Sequence, residues 1–100
     1  MSYANEVSRA RRLAILLALY FAPGYTLPRQ TLRDQVGRTG YVMSLDLTAT
    51  EIAWLTEQGL VQRIEPSEID TVRLTARGED IALGRGENPG VRRPGPGEVT

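Results

Sequence analysis

Ten consecutive uncharged, apolar residues run from Leu13 to Ala22, and Pro23-Gly24 cuts them off. The rest of the chain has to be arranged around this block. It is about half the ~20 residues that a bilayer span needs. Charged and polar residues precede it with no small-residue cleavage site, so it does not read as a signal peptide. Its remaining place is a helix in a core. The spacing predicts a first helix from about Asn5, a good N-cap residue, to Phe21. Leu13, Leu16, Leu17 and Tyr20 make one apolar stripe, and Ile15 and Leu19 make a second on another side. A helix that is apolar most of the way round must be covered on more than one side. In a chain of 100 residues the second cover is either its own core or another copy, so Ile15 and Leu19 are candidates for a homodimer interface.

Downstream, Tyr25-Thr26-Leu27 is short and β-prone, and Pro28 fits the first turn of a second helix. Leu32 and Val36 are its inward positions, and Gly37 or Gly40 ends it near Arg38. Ser44 is a good N-cap for a third helix that runs to Gln58, with Gly59 as its stop. Thr48, Ile52 and Leu55 form the inward stripe of that helix, flanked by Leu47 and Trp54. Asp46, Ala49, Thr50, Ala53 and Glu57 face outward. Leu60 to Glu65 reads as a strand, Pro66 to Asp70 as a turn-rich loop, and Thr71 to Leu74 as the returning strand. Thr75 caps a last short helix anchored by Ile81 and Leu83. After Arg85, seven of fifteen residues are Pro or Gly, a composition that predicts a mobile segment. The expected fold is mostly α with a β-hairpin. It is a winged helix-turn-helix: helix, short strand, helix, helix, two-stranded wing (61–74), short C-terminal helix. Residues 1–85 form the domain and 86–100 a Pro/Gly-rich flexible tail.

The residue inventory narrows the chemistry. There is no cysteine and no histidine, which removes disulfides, thiolate sites, the commonest metal ligand and the commonest general base. None of the four serines (Ser2, Ser8, Ser44, Ser67) sits in a nucleophile elbow. Glu79-Asp80 is explained by the positive end of the last helix. No catalytic, cofactor or metal site is expected, and the protein is expected to be cytoplasmic.

Four stretches resemble a known group: Pro23-Gly24-Tyr25-Thr26-Leu27, then Ala53 to Val61 (AWLTEQGLV), Leu74 to Ala82 (LTARGEDIA), and Pro89-Gly90-Val91-Arg92-Arg93-Pro94. Together, over nearly the whole chain, they resemble a family of small winged-helix proteins carried by Mu-like transposable phages and prophages. The second and third stretches recur across many bacterial winged-helix regulators, and the tail makes the match more specific. The resemblance implies a winged-helix fold and a DNA-linked role, in transcription regulation or in packaging.

Charge distribution gives a mixed answer about DNA. Residues 1–43 carry six arginines against two carboxylates, whereas residues 44–83 carry three against eight. A recognition helix reads bases with Arg, Lys, Asn or Gln in its first turns, but the third helix has no Arg or Lys and offers Asp46, Thr50 and Glu57. The wing tip is acidic too, with Glu65, Glu68 and Asp70. Cations for phosphates come instead from Arg29, Arg33 and Arg38 on the second helix, Arg63 and Arg73 on the wing strands, and Arg92 and Arg93 on the tail. With Thr50, these are the candidate contacts to double-stranded DNA. Arg11 or Arg12, which open the first helix with Arg9, can instead pair with a carboxylate of the acidic half. Trp54 is either a binding anchor or a packing residue. The alternative reading is a protein-interaction adaptor or packaging accessory whose acidic third helix meets a phage or host protein.

Overall fold

The computed structural model describes residues 2–64 and 69–99. Ser2, three residues upstream of the expected cap, starts the first helix: its side-chain oxygen accepts the Asn5 N–H at 3.2 Å. Helix α1 (Tyr3–Tyr20) then runs to the Pro23-Gly24 break. Gly24 and Tyr25 both take left-handed backbone angles there, φ 65° and 58°. Glycine adopts such angles without strain, whereas Tyr25 does so at a cost. The turn delivers the chain into β1 (Thr26–Pro28) and then α2 (Arg29–Arg38). Pro28 sits one residue before the helix, as its cap, instead of in its first turn.

Helix α3 (Leu45–Glu57) begins at Ser44, whose hydroxyl accepts the Leu47 N–H at 3.0 Å. Gly59, at φ 75°, turns the chain out of it. Strands β2 (Val61–Ile64) and β3 (Thr71–Leu74) follow, and then α4 (Ala76–Ala82). Thr75 caps α4 by accepting the Gly78 N–H, and its own hydroxyl donates to the Gly59 carbonyl at 2.7 Å. The described residues therefore form four helices and a small three-stranded sheet of order β1-β3-β2, antiparallel throughout. Leu27 lies opposite Val72 on one side of β3, and Arg63 lies opposite Val72 on the other. The tip residues Glu65 and Glu68 lie outside the described residues.

The core gathers Leu13, Leu16 and Leu19 of α1 with Leu32, Leu55 and Val72, all fully buried. Ile15 is also buried, at 1 % exposure, and Leu19 at 0 %. This corrects the expectation for these two residues. The second stripe of α1 is covered by the chain's own sheet and helices, so neither residue can reach a second copy. α4 comes so close to the start of β2 that a methyl group on Gly78 would strike the Leu60 carbonyl.

The tail also departs from expectation. Val91 is 2 % exposed, and the Arg92 N–H donates to the Arg9 carbonyl of α1 at 3.2 Å. Asn88 bonds the Gln58 side chain at 3.1 Å. Residues 86–99 lie along the body as a strap. One buried valine and specific polar contacts outweigh the loop-forming composition.

Candidate functional site

The outward side of α3 is built by the helical period. Thr48, Glu51, Ile52 and Leu55 turn inward, which leaves Leu45, Asp46, Ala49, Thr50, Ala53 and Glu57 exposed. Leu45 is 59 % exposed and Val42, just before the helix, 82 %. The face therefore combines an apolar row (Leu45, Ala49, Ala53) with acidic groups near both ends, and it carries no cation.

The predicted cations are mostly committed elsewhere. Arg33 spans the α2–α3 turn and donates from Nε to the Met43 carbonyl at 2.7 Å. Arg92 grips Glu98 through both terminal nitrogens, at 2.9 and 3.0 Å. Arg93 pairs with Glu87 at 2.9 Å and donates to the Gly84 carbonyl. Arg29 and Arg63 converge on one carboxylate oxygen of Asp70, at 3.4 and 2.8 Å. The Arg29 backbone N–H also bonds the Asp70 carbonyl at 2.7 Å, so the start of α2 is tied to the hairpin. Arg73 points away from the core and reaches Thr26 Oγ1 at 3.4 Å. Arg38 is exposed at the end of α2 and has no ion-pair partner among the described residues.

The most buried polar cluster lies on the opposite side of α3. Glu51 is 1 % exposed. Arg11 Nε donates to one of its oxygens at 2.9 Å and Arg12 Nε to the other at 3.1 Å. Arg12 also donates to the Gly90 carbonyl at 3.1 Å, and its guanidinium lies 4.1 Å from the centre of the Trp54 ring. One arginine thus joins α1, α3 and the tail. A buried carboxylate needs such partners, because desolvation alone would drive it to the neutral form.

On another side of α1, a groove of about 540 Å³ is lined by Ala14, Leu17, Ala18 and Phe21, and the Arg92–Glu98 pair stands along it. The bidentate hydrogen bond from Arg92, helped by the Gly95 N–H, holds the Glu98 carboxyl below its ordinary range and raises Arg92 above its own. Among the described residues no group of three or more acidic side chains is arranged to hold a metal ion. No helix there is long and apolar enough to cross a membrane.

The comparison with known proteins returns relatives from a phage and from a bacterium. Over 86 residues the chain is 37 % identical to the uncharacterized protein gp26 of Escherichia phage Mu, covering 86 % of this chain and 88 % of that one. The chain belongs to the gp26 family. This family member is also 34 % identical over 61 residues to an uncharacterized protein of Haemophilus influenzae, covering 61 % of the chain and 59 % of that relative. No family model matches the chain.

For this gp26-family chain, the structure brings Arg29 and Arg63 together and leaves Thr50 exposed on α3. It leaves Arg38 and Arg73 separate and draws Arg33, Arg92 and Arg93 into internal contacts. Sequence reasoning missed Glu51. It lies three residues after Thr48 and four before Leu55, on the inward stripe, and it is the carboxylate of the acidic half with which Arg11 or Arg12 was expected to pair.

Proposed function

We propose that this gp26-family chain is a winged-helix domain that works as a protein-binding adaptor through α3. Support for the fold comes from the element order and from a sheet in which β1 closes the β2–β3 hairpin on its β3 side. The observation that carries the function is the exposed surface of α3. In DNA-binding domains of this plan that helix enters the major groove and brings donors to bases and phosphates. Here it offers Leu45, Ala49 and Ala53 beside Asp46 and Glu57. Carboxylates are repelled by phosphates, whereas small apolar residues flanked by acids suit a basic amphipathic segment of a phage or host protein.

A second reading has its own support. Arg29 and Arg63 meet at Asp70 where α2 joins the hairpin, and Arg38 and Arg73 are further exposed cations. That is the ground for duplex DNA as partner, and for a regulatory or packaging role.

One experiment separates the two. Fluorescence anisotropy is measured with a labelled Leu/Arg amphipathic peptide and with a labelled random duplex, against the full chain and its Leu45→Glu variant. The adaptor reading expects peptide binding that Leu45→Glu weakens at least about tenfold, a loss of about 1.4 kcal/mol, and no duplex binding at low salt. Duplex binding with a log–log salt slope near −1.8, as about two phosphate contacts would give, together with indifference to Leu45→Glu, would overturn it in favour of DNA.

A further inference from the structure

Because Ile15 and Leu19 are used in the core, α1 turns a different side outward. Along that side stand Tyr3, Val7, Ala10, Ala14, Leu17 and Phe21, separated by alternating steps of four and three. This is the spacing of a helix-pairing seam. None of the six is fully buried, and the two end residues are open, Tyr3 at 83 % and Phe21 at 59 % exposure. The six residues are uncharged, and the Arg92–Glu98 pair stands beside the row at the groove. The groove beside Ala14, Leu17 and Phe21 follows the same side.

The row is also a palindrome in size: aromatic, aliphatic, alanine, alanine, aliphatic, aromatic, with its midpoint at Arg12. Interfaces about a two-fold axis require that if residue i meets j, then j meets i. An axis at that midpoint sets Tyr3 against Phe21 of a second copy, Val7 against Leu17, and Ala10 against Ala14. The alanines allow close approach at the centre, and the larger side chains fill the wider ends. We propose that two copies of this chain pair through an antiparallel α1–α1 seam.

Size and charge agree with this occupant. A fully buried aromatic side chain covers about 150–250 Å², so Tyr3 and Phe21 at their exposures bring about 300 Å² per copy. Val7, Leu17 and the alanines, each partly buried, raise this to at most about 500 Å², or about 1,000 Å² in total, the size of a weak association. The chain has no net charge, so two copies meet without overall repulsion. The expected dimer is of micromolar strength. The proposal is independent of the α3 reading, since the two faces share no residue.

Sedimentation equilibrium of the full chain from about 1 µM to about 500 µM tests it. The expected result is a mass that doubles across the range. Ala10→Glu should stay at monomer mass with an unchanged circular dichroism spectrum and melting midpoint. Since the chain has no cysteine, Tyr3→Cys and Phe21→Cys report the orientation. Mixed, they should form a disulfide; alone, neither should, because the helix ends lie about 27 Å apart at 1.5 Å per residue. A wild type that remains monomeric throughout, an Ala10→Glu that still dimerises, or self-linking of Tyr3→Cys as readily as mixed linking would each overturn the seam.

Discussion

Replacing Glu51 by alanine removes the carboxylate that Arg11 and Arg12 share, and leaves two guanidinium groups facing each other across the gap. Removing one partner of a buried ion pair costs about 3–5 kcal/mol. The two arginine side chains are 14 % and 20 % exposed, so each can turn partly towards water, and the lower end, about 3 kcal/mol, applies. For a domain of this size 1 kcal/mol moves the melting midpoint by roughly 4–8 °C, which predicts a fall of about 12–24 °C. Arg11→Ala should cost distinctly less, because Arg12 still holds one oxygen and the Gly90 carbonyl. Calorimetry in low and high salt gives the control: the loss should be nearly independent of salt, since a buried pair is poorly screened. A fall under about 3 °C, or one that vanishes in 1 M salt, would show that the cluster behaves as an ordinary surface pair and would refute the reasoning.

Two further outcomes concern the strap. A methyl group on Gly90 would run into the Trp54 ring, so Gly90→Ala should lift residues 88–92 from α1 at a cost of about 1–3 kcal/mol. The single tryptophan reports this directly, and an unshifted emission maximum would mean that the tail does not cover Trp54. Glu98 is held ionised by Arg92, and its carboxyl titrates below the ordinary glutamate range. A depressed acid stabilises the fold above its unfolded value, about 4.3, and this contribution fades as pH falls through the folded value. The protection of the Arg92 amide from hydrogen exchange, relative to its intrinsic rate at each pH, should therefore fall in that acidic window, and Glu98→Gln should abolish the step. A pH profile identical in the variant would assign the transition to another carboxylate.

Much of this architecture was legible because it rests on local rules. Ser44 and Thr75 cap the helices they were expected to cap, Gly59 ends α3, and Thr48, Ile52 and Leu55 point inward as their spacing requires. The misses involve contacts between distant parts of the chain. Periodicity places Glu51 on the inward stripe, but a charge there reads as outward until the facing arginines of α1 are in place. Composition marks the tail as loose, although Val91 and the Arg92–Glu98 pair fix it with a few contacts that averages over fifteen residues conceal. For Ile15 and Leu19 the chain's own core and a second copy both stand open, because a sequence shows that a stripe must be covered without showing by what; their burial decides for the core. The arginines divide likewise: type and helix were readable, while the carbonyls and carboxylates that hold Arg33, Arg92 and Arg93 were not.

The bond from Arg12 to the Gly90 carbonyl closes a loop of 78 residues, and this gives the molecule a timetable. At about 5–20 residues per second, a ribosome needs roughly 4–16 s to make that stretch after α1 has been synthesised. α3 and the sheet are made within that interval and can then pack on α1, but the Trp54 face and the slot for Val91 stay bare until residues 90 and 91 follow. The last step of assembly is thus set by translation and not by chain diffusion. Cutting the chain after residue 88 would leave the body without this cover.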